Sequence, residues 1–320
     1  MAEPKTWLIV NPNAGRKAGI STNAAGPDEA LQTLRRHGIE AELHLTERKD
    51  HATEIARQAV EEGVEVVVAA GGDGTVHEVA CGLIGSQTTL GIYPLGSMMN
   101  LARALEVPRD LDLAAEVIRA GRTTRMDVGL ATTNTASAYF LEAAGVGFDA
   151  GLFAYWNQLD AGNWKALRPM LRFVARYSRR PLRVTVDGRS KAVPAFMITV
   201  AISPYMGAAM TVAPNAKVDD GKLDVVIRDA YGRVDLLRHI VAMARGKDSY
   251  SPRTISLQAR QVQVQHGRRS LMVHADSQSL GTTPVRFELV PAAFSVLVGE
   301  TPAGQPSAIV TSTPAASAAG

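Results

Sequence analysis

One cysteine, Cys81, stands among the 320 residues, so no internal disulfide can brace the fold. It lies just after a glycine-rich turn, where a small buried hydrophobe fits. Nowhere does an apolar run approach the ~20 residues of a membrane-spanning helix. The start, Met1-Ala2-Glu3-Pro4-Lys5, lacks the basic-then-apolar order of a signal peptide, so cytoplasmic residence is expected. A net charge of +3 is too weak to argue for nucleic acid, but it suits anionic substrates or an anionic membrane surface. Neither the dinucleotide glycine fingerprint, with its ribose-binding acid after the first strand, nor a Walker loop is evident. A dinucleotide redox enzyme is therefore the least supported reading. What remains, 46% hydrophobic and 20% charged, describes a globular chain long enough for two domains.

The most informative stretch is Gly71-Gly72-Asp73-Gly74-Thr75, which follows the apolar run 64–70 and precedes a helical pattern opening at Thr75. A strand, a glycine turn and a helix start make a phosphate cradle, because glycine lets backbone N–H groups approach an anion and the helix N-terminus adds its dipole. The Asp73 carboxylate would oppose bare phosphate. With Mg²⁺ or a nucleotide hydroxyl between them it fits, so the turn reads as a nucleotide site.

Around this turn, strand-like runs at 7–10, 41–45, 64–70 and 90–93 alternate with helical stretches at 27–37, 52–61, from Thr75, 97–105 and 111–120. That alternation predicts a parallel sheet covered by helices, with ligands at the carboxyl ends of its strands. Three loops fall at such ends: Asn11-Pro12-Asn13-Ala14-Gly15, the glycine-rich turn, and Pro94-Leu95-Gly96-Ser97. From about Arg125 shorter extended runs take over, at 139–146, 182–186, 195–201, 223–228 and 285–290, interrupted by helical stretches at 164–178 and 234–245. We expect a nucleotide-binding α/β domain over 1–127, a β-rich lipid-substrate domain over 128–291, and a disordered, Ala/Ser/Thr/Pro-rich tail over 301–320.

Together with Gly145-Val146-Gly147-Phe148-Asp149-Ala150 and Asp220-Gly221-Lys222-Leu223-Asp224, these loops occur in the order seen in the diacylglycerol kinase catalytic-domain family, which the chain resembles from Lys5 to Gly299. A lone Gly-Gly-Asp-Gly-Thr would also suit NAD kinase or phosphofructokinase; the second-domain motifs make the difference. The resemblance implies an N-terminal three-layer α/β domain of the NAD kinase/diacylglycerol kinase type, completed by a last strand at 292–299. A C-terminal β-sandwich would follow, with an active site in the cleft between them. It implies ATP as co-substrate, held by Asn11, Thr46, Gly71, Gly72, Asp73, Gly74, Thr75 and Ser97. It further implies a structural Mg²⁺ on Asp220 and the carbonyls of Lys217 and Lys222, and Asp276 as the base that deprotonates a lipid hydroxyl. His77 and Glu78 open the helix after the turn, with His77 in ligand reach.

Two departures stand out. Ser277 and Gln278 replace the Gly and Glu of the family's Asp-Gly-Glu, and Ser97-Met98-Met99-Asn100 replaces its Gly-Thr-x-Asn-Asp continuation. A weakened or inactive family member, and a kinase of a soluble hydroxyl substrate, therefore stay open. So do the acceptor lipid and the oligomeric state, a homodimer included. For transient membrane contact, Lys165, Arg168, Arg172, Arg176, Arg179 and Arg180 alternate with Leu167, Met170, Leu171 and Phe173.

Overall fold

In chain order the N-terminal half runs β1 (Thr6–Val10), a ribbon of β2 (Arg16–Lys17) and β3 (Ile20–Ser21), α1 (Pro27–Arg36), β4 (Ala41–Leu45), α2 (His51–Glu61), β5 (Val66–Gly71), α3 (Asp73–Leu83), β6 (Thr89–Pro94), α4 (Asn100–Ala104) and α5 (Leu111–Ala120). Strands β4, β1, β5 and β6 pair in parallel in that order. Residues 6–10 and 67–71 are buried throughout, because a parallel sheet covered by helices has no polar side to alternate with. The helices carry their own stop and start signals. Pro27 opens α1 with acids in its first turn and arginines in its last, while Asp110 caps α5 and Gly121, at φ 68°, ends it.

The C-terminal half continues with β7 (Thr123–Thr133), β8 (Ser137–Phe140), β9 (Ala143–Gly147), α6 (Phe148–Asp160), a 3-10 turn (Trp164–Ala166), α7 (Leu167–Arg176), β10 (Arg180–Val186), β11 (Arg189–Ala195) and β12 (Met197–Ala201). There follow the short β13 (Tyr205–Met206) and β14 (Met210–Thr211), then β15 (Leu223–Arg228), β16 (Thr254–Ala259), β17 (Gln261–His266), β18 (Met272–Ala275), β19 (Gln278–Thr282) and β20 (Val285–Leu297). This computed structural model describes residues 4–14, 16–17, 20–21, 26–160, 162–178, 180–207, 210–228, 254–266, 269–276 and 278–300.

Strand β20 joins the halves. Its end runs parallel to β6 at Ser295 and Val296, its length runs antiparallel to β7, and its start pairs with β17, beyond which lie β10 and β11. One ten-stranded sheet thus passes through both halves. A six-stranded antiparallel sheet, β16-β15-β12-β9-β18-β19, shares a core with it through Val146, Ile198, Val225 and Ile227 against Val262, Val264, Val285 and Phe287. The architecture is a mixed α/β domain followed by a β-sandwich.

Buried Asp127 fixes the bend in β20 where Ala292 takes φ 47°. Its Oδ1 accepts from the Ala292 amide at 2.8 Å and its Oδ2 from the Gly221 amide at 2.7 Å.

The runs expected at 285–290 and 292–299 are the single strand β20, the stretch expected at 164–178 is a 3-10 turn followed by α7, and three further elements differ from expectation. The single run at 139–146 is two strands, because the amides of Leu141, Glu142 and Ala143 turn to the Asp276 carboxylate. The helix over 97–105 begins only at Asn100, since Met99 sits at φ 53° and Asp73 takes the amides of Met99 and Asn100. Helix α6 is a finding of the structure. Its apolar spacing is helical, but aromatic residues and Gly151 lower helix propensity, and a Cβ on Gly151 would lie 2.2 Å from the Phe173 ring it packs on. The helix expected over 234–245, the tail over 301–320, Gly15, Arg179 and Ser277 lie outside the described residues.

Candidate nucleotide and phosphoryl-transfer site

Strand β5 ends at Gly71 and helix α3 starts at Asp73, so the chain turns on Gly72 alone. A Cβ on Gly71 would lie 2.5 Å from the Thr75 side chain; only glycine fits this close approach. Gly74 is glycine for no such reason. No protein atom lies within 4 Å of where its Cβ would stand. Its bare backbone lines a cavity of about 410 Å³ together with Asn11, Thr46, Gly72, Thr75 and Glu78. The amides of Asp73, Gly74 and Thr75 precede the first i→i−4 bond of α3, from Val76 to the Gly72 carbonyl at 3.1 Å. They and the helix dipole can receive an anion.

Five of the eight residues expected to hold nucleotide therefore line one cavity. Asn11 braces it, donating from Nδ2 to Thr75 Oγ1 at 3.2 Å and accepting at Oδ1 from the Asn13 amide at 2.9 Å. Gly71 lies behind the cavity. Ser97 does not line it and caps no helix, since the residue before α4 is Met99. Its loop still touches the turn, because a Cβ on Gly96 would come within 2.6 Å of the Gly72 Cα. Arg48 and Lys49 also line the cavity; Arg48 pairs with Glu54, and Lys49 has no ion pair among the described residues. Sequence reasoning passed over both, although basic residues in a loop after a parallel strand were the available signal.

Asp73 points away from the cradle. Its Oδ1 accepts from the Asn100 amide at 2.7 Å and its Oδ2 from the Met99 amide at 2.9 Å, so it clasps the start of α4 to the glycine turn.

Helix α3 separates two chemistries. Thr75 and Glu78 face the cavity, while His77 faces the second domain, with its Nε2 3.1 Å from the Tyr139 carbonyl and 3.4 Å from Asp276 Oδ2. Burial opposes charge on this ring, but the Cys81 sulfur one turn later, the Asp276 carboxylate and the Tyr139 carbonyl outweigh it and raise the pKa to about 10. His77 is thus an imidazolium at neutral pH, and Cys81 is its neighbour rather than only a packing residue.

Asp276 sits at φ 45° in the turn between β18 and β19, its side chain 8% exposed. Its Oδ1 accepts from the amides of Glu142 and Ala143, each at 3.0 Å, and its Oδ2 from that of Leu141 at 2.8 Å. Burial raises this carboxyl above its ordinary range, and His77 and the three amides offset only part of that. Glu142 completes the group and was missed by sequence reasoning, which read it as part of a strand. It accepts from Asn100 Nδ2 at 2.9 Å. Burial first, then the negative charges of Asp276 and Asp73, push its carboxyl well above the usual range. Behind Asp276, buried His274 sets Nδ1 3.2 Å from the Asp276 carbonyl and Nε2 3.8 Å from Asp149 Oδ2. Despite burial, Asp149 raises its pKa.

The expected Mg²⁺ residues lie elsewhere, in the loop before β15. Asp220 Oδ1 accepts from the Lys222 amide at 3.1 Å, and Gln258 Nε2 bridges Asp220 and Asp224 at 3.3 and 3.5 Å. Burial, then Asp220, pushes the Asp224 carboxyl up, and Asp224 Oδ2 is buried without a partner. A donor set of carboxylate and carbonyl oxygens with one orphaned oxygen suits a hard cation.

Comparison with known proteins agrees with this geometry. The profile of the diacylglycerol kinase catalytic domain matches residues 5–131, and that of the YegS C-terminal NAD kinase beta sandwich-like domain matches residues 143–298. A diacylglycerol kinase of a bovine strain of Staphylococcus aureus is 27% identical over 290 residues, 88% of each chain. The crystal structure of a diacylglycerol kinase from Bacillus anthracis superposes with a TM-score of 0.69 at 23% identity, over 92% of this chain and 97% of that one. A second structure from that organism gives 0.71 at 24% identity over the same shares. The chain belongs to the diacylglycerol kinase catalytic-domain family and carries the YegS-type C-terminal domain.

Proposed function

We propose that the protein is an ATP-dependent lipid kinase that transfers the γ-phosphoryl group to a hydroxyl of diacylglycerol or a related lipid. The observation that carries this reading is α3 itself, with an anion cradle on one face and the His77–Asp276–Glu142 group on the other. Phosphoryl transfer needs that pairing of a phosphate site with a nearby carboxylate base. The nucleotide would be held by Asn11, Thr46, Gly72, Gly74 and Thr75, with Gly71 behind them and the loop after Ser97 clasped to the glycine turn by Asp73. The acceptor hydroxyl would be deprotonated at the carboxylate centre around Asp276. Mg²⁺ on Asp220 and the carbonyls of Lys217 and Lys222 would neutralise the loop before β15 and shape the second domain. We take 1–127 with 292–299 as the nucleotide unit and 128–291 as the lipid unit.

No described helix is long and apolar enough to cross a membrane, so a cytoplasmic kinase of this kind would reach its lipid by transient contact. Helix α7 suits that role. None of its residues is buried; Leu171 is 58% exposed, and Trp164 in the 3-10 turn before it is 74% exposed. Arg168, Arg172, Arg176 and Arg269 ring an aromatic-floored cavity of about 600 Å³ and have no acidic partner among the described residues. Exposed apolar side chains among unpaired guanidiniums match an anionic bilayer. The function is tested by transfer from radiolabelled ATP to a lipid panel in mixed micelles. Labelled lipid made by the wild type and lost in Asp276→Ala supports the reading; label unaffected by the substitution removes Asp276 from it.

A further inference from the structure

At two places where the family pattern carries a carboxylate, this chain carries an amide. Laid on Gly-Thr-x-Asn-Asp, the stretch Gly96-Ser97-Met98-Met99-Asn100 puts Asn100 at the aspartate, and Gln278 stands at the glutamate of Asp-Gly-Glu. The fold brings another acid to the gap. Glu142 Oε2 accepts from Asn100 Nδ2 at 2.9 Å and from the Gly207 amide at 3.3 Å, and Asn100 Nδ2 also donates to the Gly207 carbonyl at 2.8 Å. No donor among the described residues bonds Glu142 Oε1.

Asn100 adds an independent observation. It is 1% exposed, yet its Oδ1 has no partner. A buried amide oxygen left open inside a polar network is what a ligand hydroxyl or its water would complete.

Asp276 and Glu142 differ in how their oxygens are bonded. Asp276 spends Oδ1 on two amides and Oδ2 on a third beside His77, which leaves little lone-pair capacity for a substrate proton, although burial still holds its carboxyl above the ordinary range. Glu142 keeps one oxygen that no donor among the described residues bonds, and it is half-buried beside the orphaned Asn100 Oδ1. The charged groups that face it are Asp276 and Asp73, with His77 beyond Asp276; the two acids and burial all favour its protonated form. Of these two carboxyl groups, only Glu142 has an oxygen that no amide already occupies, and that oxygen is the one placed to take a substrate proton.

Resting on the kinase reading above, we propose that Glu142 Oε1 accepts the proton of the lipid hydroxyl, with Asp276 as the positioning residue and Asn100 orienting Glu142. As the proton moves to Glu142, the lipid oxygen forms its bond to the γ-phosphorus. The bond from that phosphorus to the β,γ-bridging oxygen breaks, ADP leaves with the electron pair, and Glu142 returns the proton to solvent. In this hydrogen bond the acid is at 142 and the amide at 100.

The test uses the full-length chain in diacylglycerol mixed micelles from pH 6 to 9, comparing wild type, Glu142→Gln, Glu142→Asn and the exchange variant Asn100→Asp/Glu142→Asn. Glutamine still accepts from Asn100 and Gly207, so we expect Glu142→Gln to keep its melting temperature and KM for ATP. Its kcat should fall about a hundredfold or more, the scale of general-base loss, and the acid limb of the pH profile should disappear. The exchange variant should recover about tenfold or more over Glu142→Asn, by returning a carboxylate to the same hydrogen bond. A wild type that transfers phosphate while Glu142→Gln matches its kcat and pH profile overturns this proposal and leaves the kinase reading standing. Loss in Glu142→Gln that comes only with unfolding, with no recovery on exchange, also overturns it. A wild type that transfers nothing removes the kinase reading first.

Discussion

Gly74→Ala separates the two reasons a glycine can occupy a helix start. No protein atom lies within 4 Å of the added methyl, and Gly74 is the second residue of α3. Stability should therefore hold or rise, by up to about 1 kcal/mol from helix propensity and reduced unfolded-state freedom. The methyl would instead stand in the cavity, over backbone amides that the account assigns to phosphate. Losing one charge-assisted hydrogen bond costs about 1.5–3 kcal/mol, and each 1.4 kcal/mol is tenfold. The ATP Kd should rise about tenfold to a hundredfold, measured by calorimetry beside a urea unfolding curve of the same variant. Unchanged ATP affinity would refute the cradle, and a large loss of stability would refute the claim that the space is free. Gly71→Ala is the matched contrast, since its methyl collides with Thr75 and should lower both.

The remaining predictions concern His77, the cation loop and α7. His77 has a folded pKa of about 10 against an ordinary 6.5, so its charged interactions stabilise the fold fully below about pH 6.5 and lose that contribution as pH rises through 10. The stability gap between wild type and His77→Gln in urea should shrink between pH 7 and 10; a gap that widens with pH contradicts the assignment. Millimolar Mg²⁺ should raise the melting temperature of the wild type and not of Asp220→Ala, and an equal rise in both would exclude the loop before β15. Neutralising Arg172 and Arg176 removes about 1 kcal/mol each of attraction to an anionic surface. Binding to phosphatidylserine vesicles should weaken roughly thirtyfold at low salt; unchanged binding clears this helix.

The parallel core was legible because its strands are short apolar runs punctuated by turn residues, and residues 41–45 and 111–120 begin and end where the pattern says. The strand-turn-helix at Gly71 to Thr75 was legible too, since glycine spacing carries its own geometry. What escaped notice depends on contacts distant in sequence. Glu142 sits among apolar residues, and nothing local says that its own amide leaves the ladder for a carboxylate 134 residues away. Asp127 looks like a stray acid in a strand until the amides of Ala292 and Gly221 converge on it. Asp73 was read from its motif as facing the ligand, whereas its oxygens hold the next helix, a role set by the positive φ of Met99.

Transfer of phosphate from ATP to a lipid hydroxyl is measured by incubating the full-length protein with γ-labelled ATP, Mg²⁺ and mixed micelles of diacylglycerol and related lipids, then partitioning the products between organic and aqueous phases. A lipid kinase leaves label in a lipid phosphate monoester in the organic phase. Label confined to ATP, inorganic phosphate or a soluble acceptor across the whole panel would contradict the proposed function.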